Sequence, residues 1–190
     1  MRICSKHVAA AILACASFAP RTALAKCPES NPGDTLCEPV VSYFMPAVAG
    51  VAYFPHTGGP YLGGGVELAL LAWSNNNDAF GPSQGRVRAT FAYLAGPGDR
   101  RVALYHVGAL VSFEGNASRR FLIPYFSGAI GGIYETDLGG QAAADASLGL
   151  FLVHTRRFIV DAEGGAILPF TAVDQLVGGR VQLTASFSLW

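Results

Sequence analysis

Charge is scarce in this chain. Of 190 residues, 13 are Lys or Arg and 13 are Asp or Glu, 14 % in all, where an ordinary soluble domain carries about a quarter. The two signs cancel at pH 7, so the net attraction that an electrostatic nucleic-acid binder needs is missing. After the first 25 residues no run of 18 apolar side chains occurs, which excludes a membrane-spanning helix. Helical periodicity is nearly absent as well. Cysteine is sparse, with four in the chain, and no Cys and His cluster has the spacing of a metal site. The chain also lacks a Gly-x-Ser-x-Gly nucleophile elbow. It is nonetheless 51 % hydrophobic and holds 23 glycines. An apolar chain without helices has to place its hydrophobic side chains on sheets.

The N-terminus reads as a leader. Arg2 and Lys6 form a basic start, an apolar stretch runs from Val8 to Ala19, and Ala23 to Ala25 supply small residues for cleavage. That is the pattern of a secretory signal peptide, with an apolar part too short to span a bilayer. Cleavage after Ala25 leaves Lys26 to Trp190 and removes Cys4 and Cys15. The remaining pair, Cys27 and Cys37 in "CPESNPGDTLC", flanks a turn-rich loop. In an exported chain this predicts one disulfide and an oxidising compartment. A loop this short adds about 2–3 kcal/mol in the chain-entropy model. Residues 1–25 are therefore expected as a signal peptide, 26–46 as a disulfide-stapled segment and 47–190 as one folded unit.

That unit is a ladder of period-two segments. At the C-terminus Val181, Leu183, Ala185, Phe187 and Leu189 alternate with Arg180, Gln182, Thr184, Ser186 and Ser188. Successive side chains of a strand point to opposite faces, so this strand has one apolar and one polar face. The same alternation covers Tyr61 to Trp73, Gln84 to Ala95, Val102 to Glu114, Phe121 to Tyr134, Gln141 to His154 and Phe158 to Phe170. A weaker strand covers about Ala47 to Pro55. Turn-like segments such as "HTGGP", "AGPGDR" and "ETDLGGQ" separate most of them, while "SNNNDAFGPSQ" and "FTAVDQLVG" predict longer connections. About eight strands result, longer than the usual five or six residues and long enough to cross a bilayer.

The faces decide which way the sheet turns. The polar faces are mostly Gly, Ser, Thr and Ala with isolated charges, which suits the narrow interior of an eight-stranded barrel. The apolar faces carry Leu, Val, Ala and Phe with almost no charge, as lipid requires. Tyr93, Tyr105, Phe113, Tyr134, Phe158 and Phe170 gather near strand ends, where interfacial aromatic belts sit. On the leader, the alternation and the aromatic terminus, the chain from about Ala47 to Trp190 resembles the small eight-stranded bacterial outer-membrane β-barrels. The resemblance implies an all-β, closed, antiparallel up-and-down transmembrane barrel in the outer membrane, reached through the periplasm. Its partners are then the lipid bilayer and the outer-membrane assembly machinery. It also implies that Phe187, Leu189 and Trp190 form an insertion signal read by that machinery. Trp190 falls one step out of phase with the lipid-facing set.

Glu67, Arg86, Arg88, Glu114, Asp145, Asp161, Glu163 and Arg180 are predicted to face the lumen. Buried charges must be paired, so Glu67, Arg86, Arg88, Asp145, Asp161, Glu163 and Arg180 are expected to form an ion-pair network that fills the barrel. Among the histidines, His106 is predicted to face inward, His56 to lie in a turn and His154 at a strand end. Ser112 stands about 20 Å along the strand from His106, too far for a nucleophile and base to meet. No catalytic, cofactor or metal residues are assigned. The expected role is a structural or anchoring barrel, or one that offers its loops to a surface partner. The alternatives are a narrow channel for small solutes and an outer-membrane lipid-modifying enzyme.

Overall fold

The structure, a computed structural model, describes residues 44–77, 81–113, 120–155 and 158–187. The leader, Cys27 and Cys37, and Glu114, Leu189 and Trp190 lie outside the described residues. Eight strands follow in order: β1 (Met45–Pro55), β2 (Tyr61–Asn77), β3 (Gly81–Ala95), β4 (Arg101–Phe113), β5 (Ile123–Glu135), β6 (Gly139–His154), β7 (Phe158–Pro169) and β8 (Gly178–Phe187), with a one-turn helix α1 (Val173–Leu176) between β7 and β8. Each strand pairs antiparallel with its neighbours in sequence, and β8 pairs with β1 to close the barrel. The expected eight-stranded up-and-down barrel is what forms.

Its dimensions follow from the register. Stepping across the wall from Met45 leads through Ala69, Arg88, Gly108, Ala129, Asp145, Ile167 and Gly178, and returns to β1 at Pro55. The ring therefore closes with a stagger of ten residues. At ~3.3 Å per residue, over eight steps of ~4.8 Å, that tilts the strands by about 40°. An eleven-residue strand then climbs about 28 Å along the axis, close to the thickness of a hydrocarbon core.

The alternation sets the two faces as the sequence predicts. Val48, Val66, Phe91, Val107, Ile130, Leu148, Val181 and Leu183 are exposed on the outside, with Ile130 and Leu148 each at 70 %. Exposed aromatics ring both ends: Phe54, Tyr93, Tyr105, Tyr134 and Phe170 at the mouth away from the termini, and Phe44, Phe113, Phe121 and Phe187 at the mouth where the described chain begins and ends. Water would not tolerate so large a continuous apolar surface without aggregation; a bilayer matches it.

Inside, the barrel is filled in three layers. Near the far mouth, Val51, Tyr53, Tyr61, Leu94, Val102, Leu104, Ile133 and Ile167 pack into one apolar cluster with Leu176 of α1. Near the terminal mouth, Met45, Ala69, Leu110, Ile123, Tyr125, Phe151 and Ile159 form another. Glu67, Arg88, Asp145, Glu163 and Arg180 lie between them.

Three local features depart from the sequence reading. "SNNNDAFGPSQ" does not form a long loop: β2 and β3 stay paired out to Asn77 and Gly81, because ladder hydrogen bonds come from the backbone and do not need apolar side chains. β1 begins two residues earlier than expected, at Met45. Bulges interrupt two ladders, leaving Leu70 without a partner between Ala69 and Leu71, and Leu152 between Phe151 and Val153. Those two interfaces are four strands apart, on opposite walls. A bulge adds one residue to one strand and shifts its phase.

Candidate functional site

The charged layer is built from side chains that alternation turns inward on five strands. Arg88 of β3 reaches across the lumen to Glu163 of β7, with Nη2 2.5 Å from Oε2. Its Nη1 lies 3.3 Å from Glu67 Oε2 on the neighbouring strand β2, and Nη2 also donates to Ser127 Oγ at 2.9 Å. Arg180 of β8 takes Asp145 of β6 in a forked contact, Nε to Oδ2 at 2.8 Å and Nη2 to Oδ1 at 3.1 Å. Arg180 Nη2 is also bonded to Glu163 Oε1. Glu163 thus joins both arginines. All five side chains are buried. Planar guanidinium forks suit this duty because each offers several fixed donors to carboxylates.

Neutral groups complete the layer. Ser147 Oγ donates to Asp145 Oδ1 at 2.6 Å. Gln182 accepts from Arg180 Nη1 at 2.5 Å, and its amide donates to Thr184 Oγ1 at 3.0 Å and stands 3.5 Å from Glu67 Oε2. Asp161 is met not by an arginine but by a phenol. The Tyr125 hydroxyl lies 2.7 Å from Asp161 Oδ1 and 2.9 Å from Glu163 Oε2. With one proton it donates to one of them at a time. The Tyr125 ring occupies the space a Cβ would take at residue 149, where that atom would sit 2.0 Å from the ring carbon Cζ. Glycine at 149 is what lets the phenol lie flat against the wall.

The remaining expected residues lie toward the ends. Arg86 Nη2 donates to His154 Nε2 at 2.6 Å and its guanidinium stands 5.1 Å above the Phe151 ring. His154 ends β6, as the sequence places it, but it is buried, whereas only His106 is expected to face inward. The Leu152 bulge is the reason: it turns the residues after it over, so His154 faces the lumen. A guanidinium cannot accept, so this bond needs an unprotonated Nε2. His106 faces inward as predicted and is buried. Phe187 points outward and packs on Phe158 with ring centroids 5.1 Å apart.

One buried carboxylate escaped the sequence reading. Glu135, at the end of β5, is wholly buried at the far mouth. It accepts from Arg100 Nε at 2.9 Å, from Tyr61 at 3.3 Å, and from the amides of Asp137 and Leu138 at 2.8 and 3.1 Å. This ties the β3–β4 turn to the β5–β6 turn and holds the Arg100 guanidinium above its ordinary pKa. Its place opposite Tyr134 in the alternation was the available signal. Over the same mouth α1 is strapped down by Tyr53 to the Leu176 carbonyl, by the His56 amide to the Val177 carbonyl at 2.8 Å, and by Thr57 to the Gln175 carbonyl at 3.3 Å.

Among the described residues, no group of three or more His, Cys, Asp and Glu side chains could hold a metal ion. No family model matches the sequence, and no curated protein matches it. Solved structures do. Neisserial surface protein A is 14 % identical, with a TM-score of 0.52 over 76 % of this chain and 93 % of its own. The outer membrane enzyme PagL is 14 % identical, with a TM-score of 0.46 over 74 % of this chain and 98 % of its own. A de novo designed transmembrane barrel, TMB2.3, is also 14 % identical, with a TM-score of 0.41 over 78 % and 97 %. At these identities the likeness is one of fold. The chain folds as a closed eight-stranded antiparallel barrel, the architecture of small bacterial outer-membrane proteins.

Proposed function

We propose that this chain is an integral outer-membrane barrel with a sealed lumen, which serves as a structural anchor or offers its loops to a surface partner. One observation carries the reading: among the described residues, a charged layer is locked between two apolar layers inside the barrel. A pore would need a continuous wet path, and eight strands leave room for little more than side chains. Lipid chemistry would need a nucleophile bonded to a base. Among the described residues, His154 Nε2 is engaged by Arg86 and no serine is bonded to His106 Nε2. In this reading residues 1–25 direct export, Cys27 and Cys37 staple the segment before the barrel, and Phe187, Leu189 and Trp190 address the assembly machinery.

The test is conductance. The purified barrel, inserted into a planar lipid bilayer, should leave the membrane electrically silent. Steady single-channel steps of uniform size would overturn the sealed-lumen reading in favour of a narrow channel.

A further inference from the structure

We propose that the charged layer holds a fixed water bound to His106 Nε2, in one of two voids beside that side chain that are each the size of one molecule. The proposal rests on the fold of the lumen and is independent of the anchoring role.

Two observations carry it. Among the described residues, Nε2 of His106 is the one buried side-chain nitrogen or oxygen without a hydrogen-bond partner. A buried polar atom left unsatisfied is costly, and water is the common remedy where there is room. Two voids of about 10 Å³ each are lined by the His106 side of β4. About that much space admits one water. The first also touches Thr90, Arg180 and Gln182. The second touches Arg88, Thr90, Asp145 and Arg180. Each therefore offers the two to four polar neighbours that a buried water requires.

The chemistry of the lining selects water over an ion. Asp145 can only accept when ionised, and the two guanidiniums can only donate. These charges are already paired, Arg180 with Asp145 and Glu163, and Arg88 with Glu163 and Glu67. A cation or an anion would meet one sign of charge favourably and the other unfavourably. A neutral molecule that both donates and accepts satisfies both, and it serves Nε2 in either tautomer. The apolar layers above and below separate this water from bulk. His106 is then the anchor of a small hydrated pocket that completes the polar layer.

The experiment reads the wild-type barrel first. A high-resolution crystal structure should show density within about 2.7–3.2 Å of Nε2. Nuclear Overhauser cross-peaks to water, recorded in micelles, should appear at the His106 ring. They should persist at the neighbouring Thr90 in His106→Gln and vanish in His106→Leu. Dry density, with Nε2 bonded directly to Asp145 or Thr90 and no water cross-peak, would overturn the proposal. The wild-type measurement decides even if the Leu variant fails to fold.

Discussion

At the scale of single residues, Arg180 is the side chain whose loss should reveal the most. It holds Asp145 in a fork and shares Glu163 with Arg88. Removing it alone leaves Asp145 buried as an unpaired charge, which costs about 3–5 kcal/mol. Removing the fork together, as Arg180→Met with Asp145→Asn, strands no charge on that side. The double variant should therefore lose less than the two single losses summed, by on the order of 1–3 kcal/mol. Urea titrations of the barrel folded into vesicles give the comparison. Additive losses would show that the buried charges do not act as a unit.

At the scale of strands, period-two alternation was legible because it is enforced by geometry: each Cβ must point opposite to the last. It placed Arg86, Arg88, Asp145, Asp161, Glu163 and Arg180 on the inner face without any knowledge of their partners. It failed at His154, because a bulge is a backbone event with no apolar or polar signature of its own at Leu152. The fork of Arg180 on Asp145 was equally out of reach, since β6 and β8 are not paired and their side chains meet across the inner face of β7. Asp161 was expected among the arginines and instead takes a Tyr125 hydroxyl, a pairing that depends on the missing side chain at Gly149. The face assignment has a direct check on β6. Leu148→Arg puts a charge on the outer face near mid-strand and should cost about 2–4 kcal/mol in a bilayer. Ser147→Arg instead crowds the lumen beside Asp145 and Arg180, so it should lose stability in detergent as well as in lipid. Equal behaviour of the two in vesicles and micelles would refute the assignment.

At the scale of the whole molecule, seven of the eight ladders are joined by a connection that limits their register. The eighth, β8 on β1, is held by no turn. Its pairing, Ala47 with Ser186 through Pro55 with Gly178, is chosen when the ends of the sheet meet. A slip of one residue there would turn the polar face to the lipid and is forbidden by burial. A slip of two preserves every face, so the apolar pattern is blind to it. The contacts that bridge the gap are not. Tyr53 on the Leu176 carbonyl, Gln182 against Glu67, and Arg88 across to Glu163 each join the two sides of this closure. A two-residue slip moves its partners by about 6.6 Å, beyond the reach of any hydrogen bond. Tyr53→Phe combined with Gln182→Met should accordingly give doubled amide resonances confined to β1 and β8, and one clean set would argue against this role. The interior of this barrel then has a use unrelated to passage or chemistry. It is a gauge that tells a closing cylinder when its circumference is right.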